Sequence, residues 1–200
     1  LTEQSFGGKC SLLVKPGDKV LKGSQIGKPE AFMAAPLHAS VSGEVLDVKE
    51  VRQQNRMVLS CIIKNEGEKG REAQKYETEM VSLESYSQEM ILAGIRDGGL
   101  TGMGGAGFPT HKKYETDKSI DSLLINGAEC EPFLTCDYRL MLEQGYGILN
   151  GICLLLKASG ARKAYLCIED NKPEAIRSLS RILEAAKQSG KIEETQKLEI

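Results

Sequence analysis

The residues best suited to chemistry lie in Gly98-Gly99-Leu100-Thr101-Gly102-Met103-Gly104-Gly105-Ala106-Gly107-Phe108-Pro109-Thr110, which runs directly into His111-Lys112-Lys113. Glycines at this density let the backbone take positive φ and let a ligand lie against bare amides. Successive N–H groups in such a turn can converge on an anion. Pro109 suits the start of a helix whose N-terminal end adds positive potential, and Lys112 and Lys113 supply cations close by. The stretch is a candidate cradle for a phosphate or a ring. A flexible linker is the plainer alternative, but linkers mix Gly with Ser or Pro in no fixed order, whereas Gly-Gly-Ala-Gly here leads into Phe-Pro-Thr and a basic pair.

A second constellation follows. Ile120-Asp121-Ser122-Leu123-Leu124-Ile125-Asn126 is a short apolar run bounded by turn residues, as expected of a buried strand, and it ends in Gly127-Ala128-Glu129-Cys130-Glu131-Pro132. Ligands of open α/β sheets gather at the carboxyl ends of strands, so Asn126, Glu129 and Glu131 arrive where chemistry usually sits. The alternative makes the glutamates exposed loop charges and Asn126 a turn former.

The elements that must position these groups fall into two kinds. Residues 1 to about 80 carry short β signals and turn residues with no long helical period. Val14 to Gly23 reads as strand, Pro-Gly-Asp turn and strand; Ala39 to Val48 and Met57 to Ile63 read as half-buried strands. Asn65 to Ser85 is polar and reads as a solvated connection, which places the domain boundary near residue 80. Beyond it, Tyr86 to Asp97 reads as a helix, with Ser85 and Gln88 at capping-box spacing and Ile91, Leu92 and Ile95 on one face. Gly102, Gly104 and Gly107 spell G-x-G-x-x-G, but that fingerprint needs a strand in front of it, so a helix there argues against an ordinary dinucleotide entry.

The remainder alternates helix and strand, which argues for a parallel α/β arrangement. A short helix is expected near 110–116, and His111 is expected to be exposed at its start. A helical region follows from Arg139 to Lys157, where Gly145, Gly147 and Gly151 hint at close packing. Ala164 to Glu169 is expected as a strand, Pro173 opens an amphipathic helix with Ile176, Leu179, Leu183 and Ala186 on one face, and Gln196 to Ile200 starts another strand. The chain stopping in mid-pattern suggests a fragment.

Composition narrows the function classes. The 200 residues are 40% hydrophobic and 27% charged, with a net charge of -2 and basic residues scattered among acids, so nucleic acid is a poor partner. The longest apolar candidate, Ile148 to Leu156, is too short and too interrupted to span a membrane, and Leu-Thr-Glu-Gln-Ser carries no secretory signal. Six cysteines, at 10, 61, 130, 136, 153 and 167, include no C-x-x-C, which fits a reduced compartment; Cys61, Cys153 and Cys167 are expected to be buried. Cys130 and Cys136 are two thiols, too few for a four-ligand cluster, so no metal site is expected.

Two resemblances add to these readings. Pro16-Gly17-Asp18-x-Val20-x-Lys22-Gly23 and Val41-Ser42-Gly43-x-Val45 resemble the two halves of biotinyl/lipoyl carrier domains, although the segment between, Pro29 to Pro36, holds no lysine to acylate. The glycine stretch with Lys113, the Asn126 to Pro132 loop and Asp137-Tyr138-Arg139 resemble the flavin-binding subunit of respiratory complex I and, with the carrier-like domain in front, the RnfC family of electron-transport subunits. That resemblance implies an α/β chain with a β-rich barrel-sandwich domain over 1–80 and part of a parallel-sheet flavin-binding domain over 81–200. It implies FMN and NAD as cofactors, held by Gly102, Gly104, Gly105, Ala106, Gly107, Phe108 and Lys113 together with Asn126, Glu129 and Glu131, with no catalytic side chain.

The resemblance further implies electron transfer from NADH through flavin to iron–sulfur carriers, with 4Fe-4S clusters only beyond residue 200. It implies other Rnf-type subunits as partners, ferredoxin indirectly, and a peripheral place on the cytoplasmic side of a membrane. Met103 stands where the complex I relative has arginine, and Ala128 where it has aspartate. Three alternatives stand beside it: a docking or assembly module without redox activity, an acyl carrier, and a soluble relative serving corrinoid or proline reductase.

Overall fold

The computed structural model describes residues 1–4, 8–67, 79–103, 107–131, 133–192 and 197–200. The chain divides into two compact units, Leu1–Gln74 with Leu92–Thr116, and Lys75–Ile91 with Asp117–Ile200. The glycine stretch therefore belongs with the N-terminal β strands, and the Asn126 to Glu131 loop with the second unit.

The first unit is built from two antiparallel three-stranded sheets. β1 (Cys10–Leu12), β3 (Gln25–Pro29) and β4 (Leu37–His38) form one, and β2 (Lys19–Val20), β5 (Gly43–Gln53) and β6 (Arg56–Asn65) the other. No closed barrel is present among the described residues. Cys10, Val20, Ile26, Leu37, Ala39 and Val45 form the core, with Val14, Val48, Cys61 and Ile63 packed against it. The β5–β6 hairpin is longer than the alternation of residues suggests. Its ladder runs from Gly43↔Asn65 to Gln53↔Arg56 through a two-residue turn, where Gln54 takes φ 51°. The polar tip, Arg52 to Arg56, hides the length of the hairpin from a hydrophobicity pattern, although Val58 in its outer half is buried.

α1 (Gln88–Asp97) follows, then a single turn of helix, α2 (His111–Tyr114). The cap of α1 is Ser87, whose hydroxyl accepts from the Met90 N–H at 3.2 Å, in place of the expected Ser85. α2 contains four residues, too few to carry the aligned peptide dipoles that an anion-binding helix terminus needs.

The second unit is a parallel sheet in the order β7 (Ser122–Asn126), β8 (Lys163–Cys167), β9 (Lys197–Glu199). α3 (Cys136–Glu143), α4 (Gly145–Ser159) and α5 (Pro173–Gln188) make the crossovers. Leu149, Leu156, Leu179 and Leu198 are almost wholly buried in the core beside them. α5 begins at Pro173, whose fixed φ suits a first turn, and buries Ala175, Leu179, Leu183 and Ala186.

The connection expected to be solvated is anchored at Met80, Val81 and Leu83, while the other described residues between Asn65 and Ser85 are exposed. Met80 is buried, and Asn150 accepts from the Val81 N–H while donating to the Glu79 carbonyl, both at 3.0 Å. Two lysines also bond carbonyls of this lead-in, Lys157 to Leu83 and Lys191 to Met80. No helix among the described residues is long and apolar enough to cross a membrane.

Candidate functional site: a closed glycine loop and an acidic strand tip

In the first unit, α1 ends in two bonds, Gly99 N–H to the Arg96 carbonyl and Leu100 N–H to the Ile95 carbonyl, with Gly99 at φ 64°. This is a Schellman close, and it needs glycine at the left-handed position. A Cβ at Gly99 would also lie 2.5 Å from the Pro36 carbonyl oxygen. The chain then narrows into a neck: Thr101 bridges Pro109, Gly102 N–H donates to the Phe108 carbonyl at 3.0 Å, and Thr110 N–H donates to the Leu100 carbonyl at 2.8 Å. A stretch closed on itself in this way is not a linker. Gly102 thus gives its amide to the neck and has none left for a ligand. Met103 is 97% exposed beyond the neck, and Gly107 takes φ 66° on the return. Gly104, Gly105 and Ala106 lie outside the described residues.

The basic end of the loop differentiates its side chains. Lys112 Nζ lies 3.5 Å from the centroid of the Phe32 ring and 2.7 Å from Glu115 Oε2, with its side chain only 12% exposed. Lys113 is exposed, its Nζ 6.0 Å from the Phe108 ring. His111, expected at the surface, is buried, and its Nδ1 has no hydrogen-bond partner among the described residues. Burial lowers its pKa, the main opposing influence being Glu115.

In the second unit, β7 delivers Asn126 to the carboxyl end of the sheet. Its Oδ1 accepts from the Ala128 N–H at 3.0 Å, which turns the chain, while Gly127 N–H extends the ladder to the Cys167 carbonyl at 2.8 Å. The turn sends the Glu129 side chain inward, where it is 3% exposed. Oε1 accepts from the Asp137 N–H at 2.8 Å, in the first turn of α3. Oε2 has no hydrogen-bond partner among the described residues, and Lys172 Nζ stands 3.7 Å from it. Lys172 in turn lies 5.1 Å from the Tyr138 ring, and the Tyr138 hydroxyl donates to Glu174 at 2.9 Å, a bond that raises the phenol pKa. Glu131 is exposed.

Glu129, Cys136 and Asp137 bring one donor atom each within 4.8 Å of one another. The Lys172 ammonium beside Glu129 opposes a cation there. The site therefore has the character of an anion-lined seat for a hydrogen-bond donor.

A family model described as the Nuo51 FMN-binding domain matches residues 95–199, and one described as the RnfC barrel sandwich hybrid domain matches residues 1–68. The chain belongs to the RnfC family. It is 38% identical over 179 residues to the RnfC protein of the Na(+)-translocating ferredoxin:NAD(+) oxidoreductase complex of Acetobacterium woodii, covering 87% of this chain and 40% of that one. Its counterpart in the proton-translocating complex of Clostridium ljungdahlii is 38% identical over 92% of this chain and 40% of its own length. The counterpart in the ion-translocating oxidoreductase complex of Rhodobacter capsulatus is 37% identical over 90% and 35%. The chain thus spans about 40% of the length of the first two relatives. Among solved structures, an NAD+-reducing [NiFe]-hydrogenase in the H2-reduced state has a TM-score of 0.48 at 30% identity, covering 57% of this chain and 21% of that one.

The RnfC assignment gives the missed residues their interest. Lys172 sits in the loop after β8, a strand-end position that the α/β rule marks for function, but nothing in its spacing announces a partner in the loop after β7. Phe32 carries no sequence signal at all.

Proposed function

We propose that this chain is the flavin-holding part of an electron-transfer subunit that passes electrons between NADH and iron–sulfur or ferredoxin carriers in an Rnf-type ion-translocating complex. On this reading it sits peripherally on the cytoplasmic face of a membrane and docks against other subunits of that complex. When bound, the FMN supplies the exchange between two-electron and one-electron chemistry.

The observation that carries the reading is Glu129. Its side chain is 3% exposed, one oxygen is bonded, and the other has the Lys172 ammonium at 3.7 Å but no hydrogen-bond donor among the described residues, a deficit that a donor from a ligand would fill. A flavin offers such donors in its ring N–H and ribityl hydroxyls. The residues fit in kind, each set within its own unit: Glu129, Asn126 and Glu131 offer acceptors suited to the donors of a ring or a nicotinamide, and Lys113, Phe108, Gly107 and the glycine-loop residues Gly102, Gly104, Gly105 and Ala106 offer a cation, an aromatic face and small side chains suited to a phosphate and ring. Gly102 would contribute space, since its amide is engaged in the neck. No side chain is assigned as nucleophile, general base or metal ligand; the protein's part is to bind, orient and exclude water.

The test is flavin content and NADH-dependent dye reduction of the full-length protein. Glu129→Gln and Lys113→Ala are each expected to weaken FMN binding about tenfold, the scale of one lost charge-assisted hydrogen bond. A folded full-length protein that takes up no FMN would overturn the reading.

A docking module without redox activity is the second reading. It is favoured by the exposure of Phe133, Leu134 and Leu140 beside the acidic loop, with Phe133 at 101%. It predicts normal complex assembly by a variant that has lost FMN binding.

A further inference from the structure

Phe32 is a large aromatic side chain, 77% exposed, at the turn joining β3 to β4. Exposure of that extent gains little from burial, so its value must lie elsewhere. The ring lies under the Lys112 ammonium at 3.5 Å, and the same ammonium is bonded to Glu115 at 2.7 Å. A cation held between a carboxylate and a π face has one position, and its methylene stem is shielded to 12% exposure in the process.

The same turn meets the other foot of the glycine loop. The Pro36 carbonyl and the His38 ring sit against Gly99, 2.5 Å and 3.3 Å from where a Cβ would be. Gly99 precedes the neck closed by Thr101 and Pro109, and Lys112 follows it. The turn is itself firmly seated. Ala34 and Ala35 are buried, Cys10 Sγ donates to the Ala35 carbonyl at 3.2 Å, and Glu30 N–H donates to the Lys9 carbonyl at 3.1 Å.

We propose that the β3–β4 turn is the mount of the glycine loop, with Phe32 a positioning residue that fixes Lys112 and leaves Lys113 as the cation presented to a phosphorylated cofactor. Pro29 to Pro36 contains no lysine, so the turn carries a loop in place of an acyl group. The cofactor part of this inference rests on the flavin reading above; the mechanical part does not. Feet held in fixed positions leave a ligand less ordering to impose on them.

The experiment uses the full-length protein with Phe32→Leu, which keeps apolar bulk and loses the ring quadrupole, and Phe32→Trp, which keeps and strengthens it. Hydrogen exchange of backbone amides 98–116 is measured without FMN, and FMN affinity is read separately by quenching of flavin fluorescence. Phe32→Leu is expected to speed exchange on the order of threefold and weaken FMN affinity by a similar factor, with Phe32→Trp restoring both. Lys112→Met, which also loses the ion pair with Glu115, should have at least the effect of Phe32→Leu, and adding Phe32→Leu to it should change nothing further. Wild-type exchange in Phe32→Leu, or no rescue by Phe32→Trp, would overturn the mount. Altered exchange with unchanged FMN affinity would overturn the positioning role, and a wild-type protein that binds no FMN would remove the flavin reading while the exchange comparison still decides the mount.

Discussion

The Asp137 backbone N–H donates to Glu129 Oε1 at 2.8 Å, so a carboxylate from the loop after β7 caps the first turn of α3. Thr135, the residue at the helix boundary, makes no side-chain cap of its own. Glu129 therefore serves the fold through one oxygen and is available to a ligand through the other.

Two substitutions separate these roles. Glu129→Ala removes the cap and is expected to cost about 1–2 kcal/mol of stability in urea unfolding. Glu129→Gln keeps a carbonyl for the Asp137 N–H and should recover most of that loss while still weakening FMN binding. Equal destabilisation by both would mean that the charge, and not the acceptor, holds α3.

Lys172→Met tests the cation beside the same carboxylate. Its Nζ is 3.7 Å from Glu129 Oε2 with the lysine side chain 21% exposed, so the buried acid would lose its nearest positive charge. The expected cost is about 1–3 kcal/mol, below that of a fully buried pair because water reaches the lysine. Combined with Glu129→Gln, which removes the charge needing compensation, the loss should be less than additive. Strict additivity would show that the two groups do not interact.

Much of this arrangement is legible in the chain, and the parts that are not share a cause. The spacing of Leu179, Leu183 and Ala186 after Pro173 specifies α5, because local period and burial agree there; the Leu123 to Ile125 run locates β7 but not its expected burial, since Leu124 on this last strand in the sheet order is 74% exposed and Leu123 and Ile125 are half-buried. Cys167 misleads: it follows buried Leu166 in β8, and the two-residue period of a strand turns it to the exposed face. His111 misleads in the opposite sense, since only tertiary packing buries a residue at the start of a one-turn helix. The strand-tip position of Asn126 and Glu129 is legible, whereas the Lys172–Glu129 and Phe32–Lys112 pairs join distant parts of the chain and leave no periodic trace.

His111 should make stability depend on pH in a definite direction. Burial lowers its folded pKa below the ordinary 6.5, with Glu115 and Asp97 opposing and Lys112 and Arg96 reinforcing. The unfolded chain then takes up a proton that the folded chain resists, so this contribution is full above 6.5 and is lost as pH falls through the folded value. Wild-type protein is expected to lose more unfolding free energy than His111→Gln between about pH 7.5 and pH 5.5. Parallel curves for the two would remove the histidine from the linkage.

Thiol reactivity should follow exposure and not the apolar look of the flanking sequence. Cys130, Cys136 and Cys167 are exposed, whereas Cys10 and Cys153 are buried, and burial pushes the Cys153 thiol up to about 11. Brief maleimide treatment of folded protein, read by peptide mass spectrometry, is expected to label the first three and spare the last two. Rapid labelling of Cys153 would mean that α4 does not pack as described.

Glycine substitutions offer the sharpest contrast between the two units. A Cβ at Gly43 would lie 1.9 Å from the Lys64 carbonyl oxygen, in the middle of backbone that cannot rotate aside, so Gly43→Ala is expected to cost about 3 kcal/mol or more by forcing β5 and β6 apart. The helical glycines of α4 differ among themselves. A Cβ at Gly145 would lie 2.6 Å from Ile182 Cδ1, the end of a side chain that can turn away, which predicts only a small loss for Gly145→Ala. Gly147 and Gly151 meet nothing within 4 Å, contrary to the close packing their spacing suggests. Alanine there lowers the entropy of the unfolded chain without a clash, so Gly147→Ala and Gly151→Ala are each expected to add about 0.5–1 kcal/mol in urea unfolding. Destabilisation at either position would reveal a close neighbour of α4 that the substitution displaces.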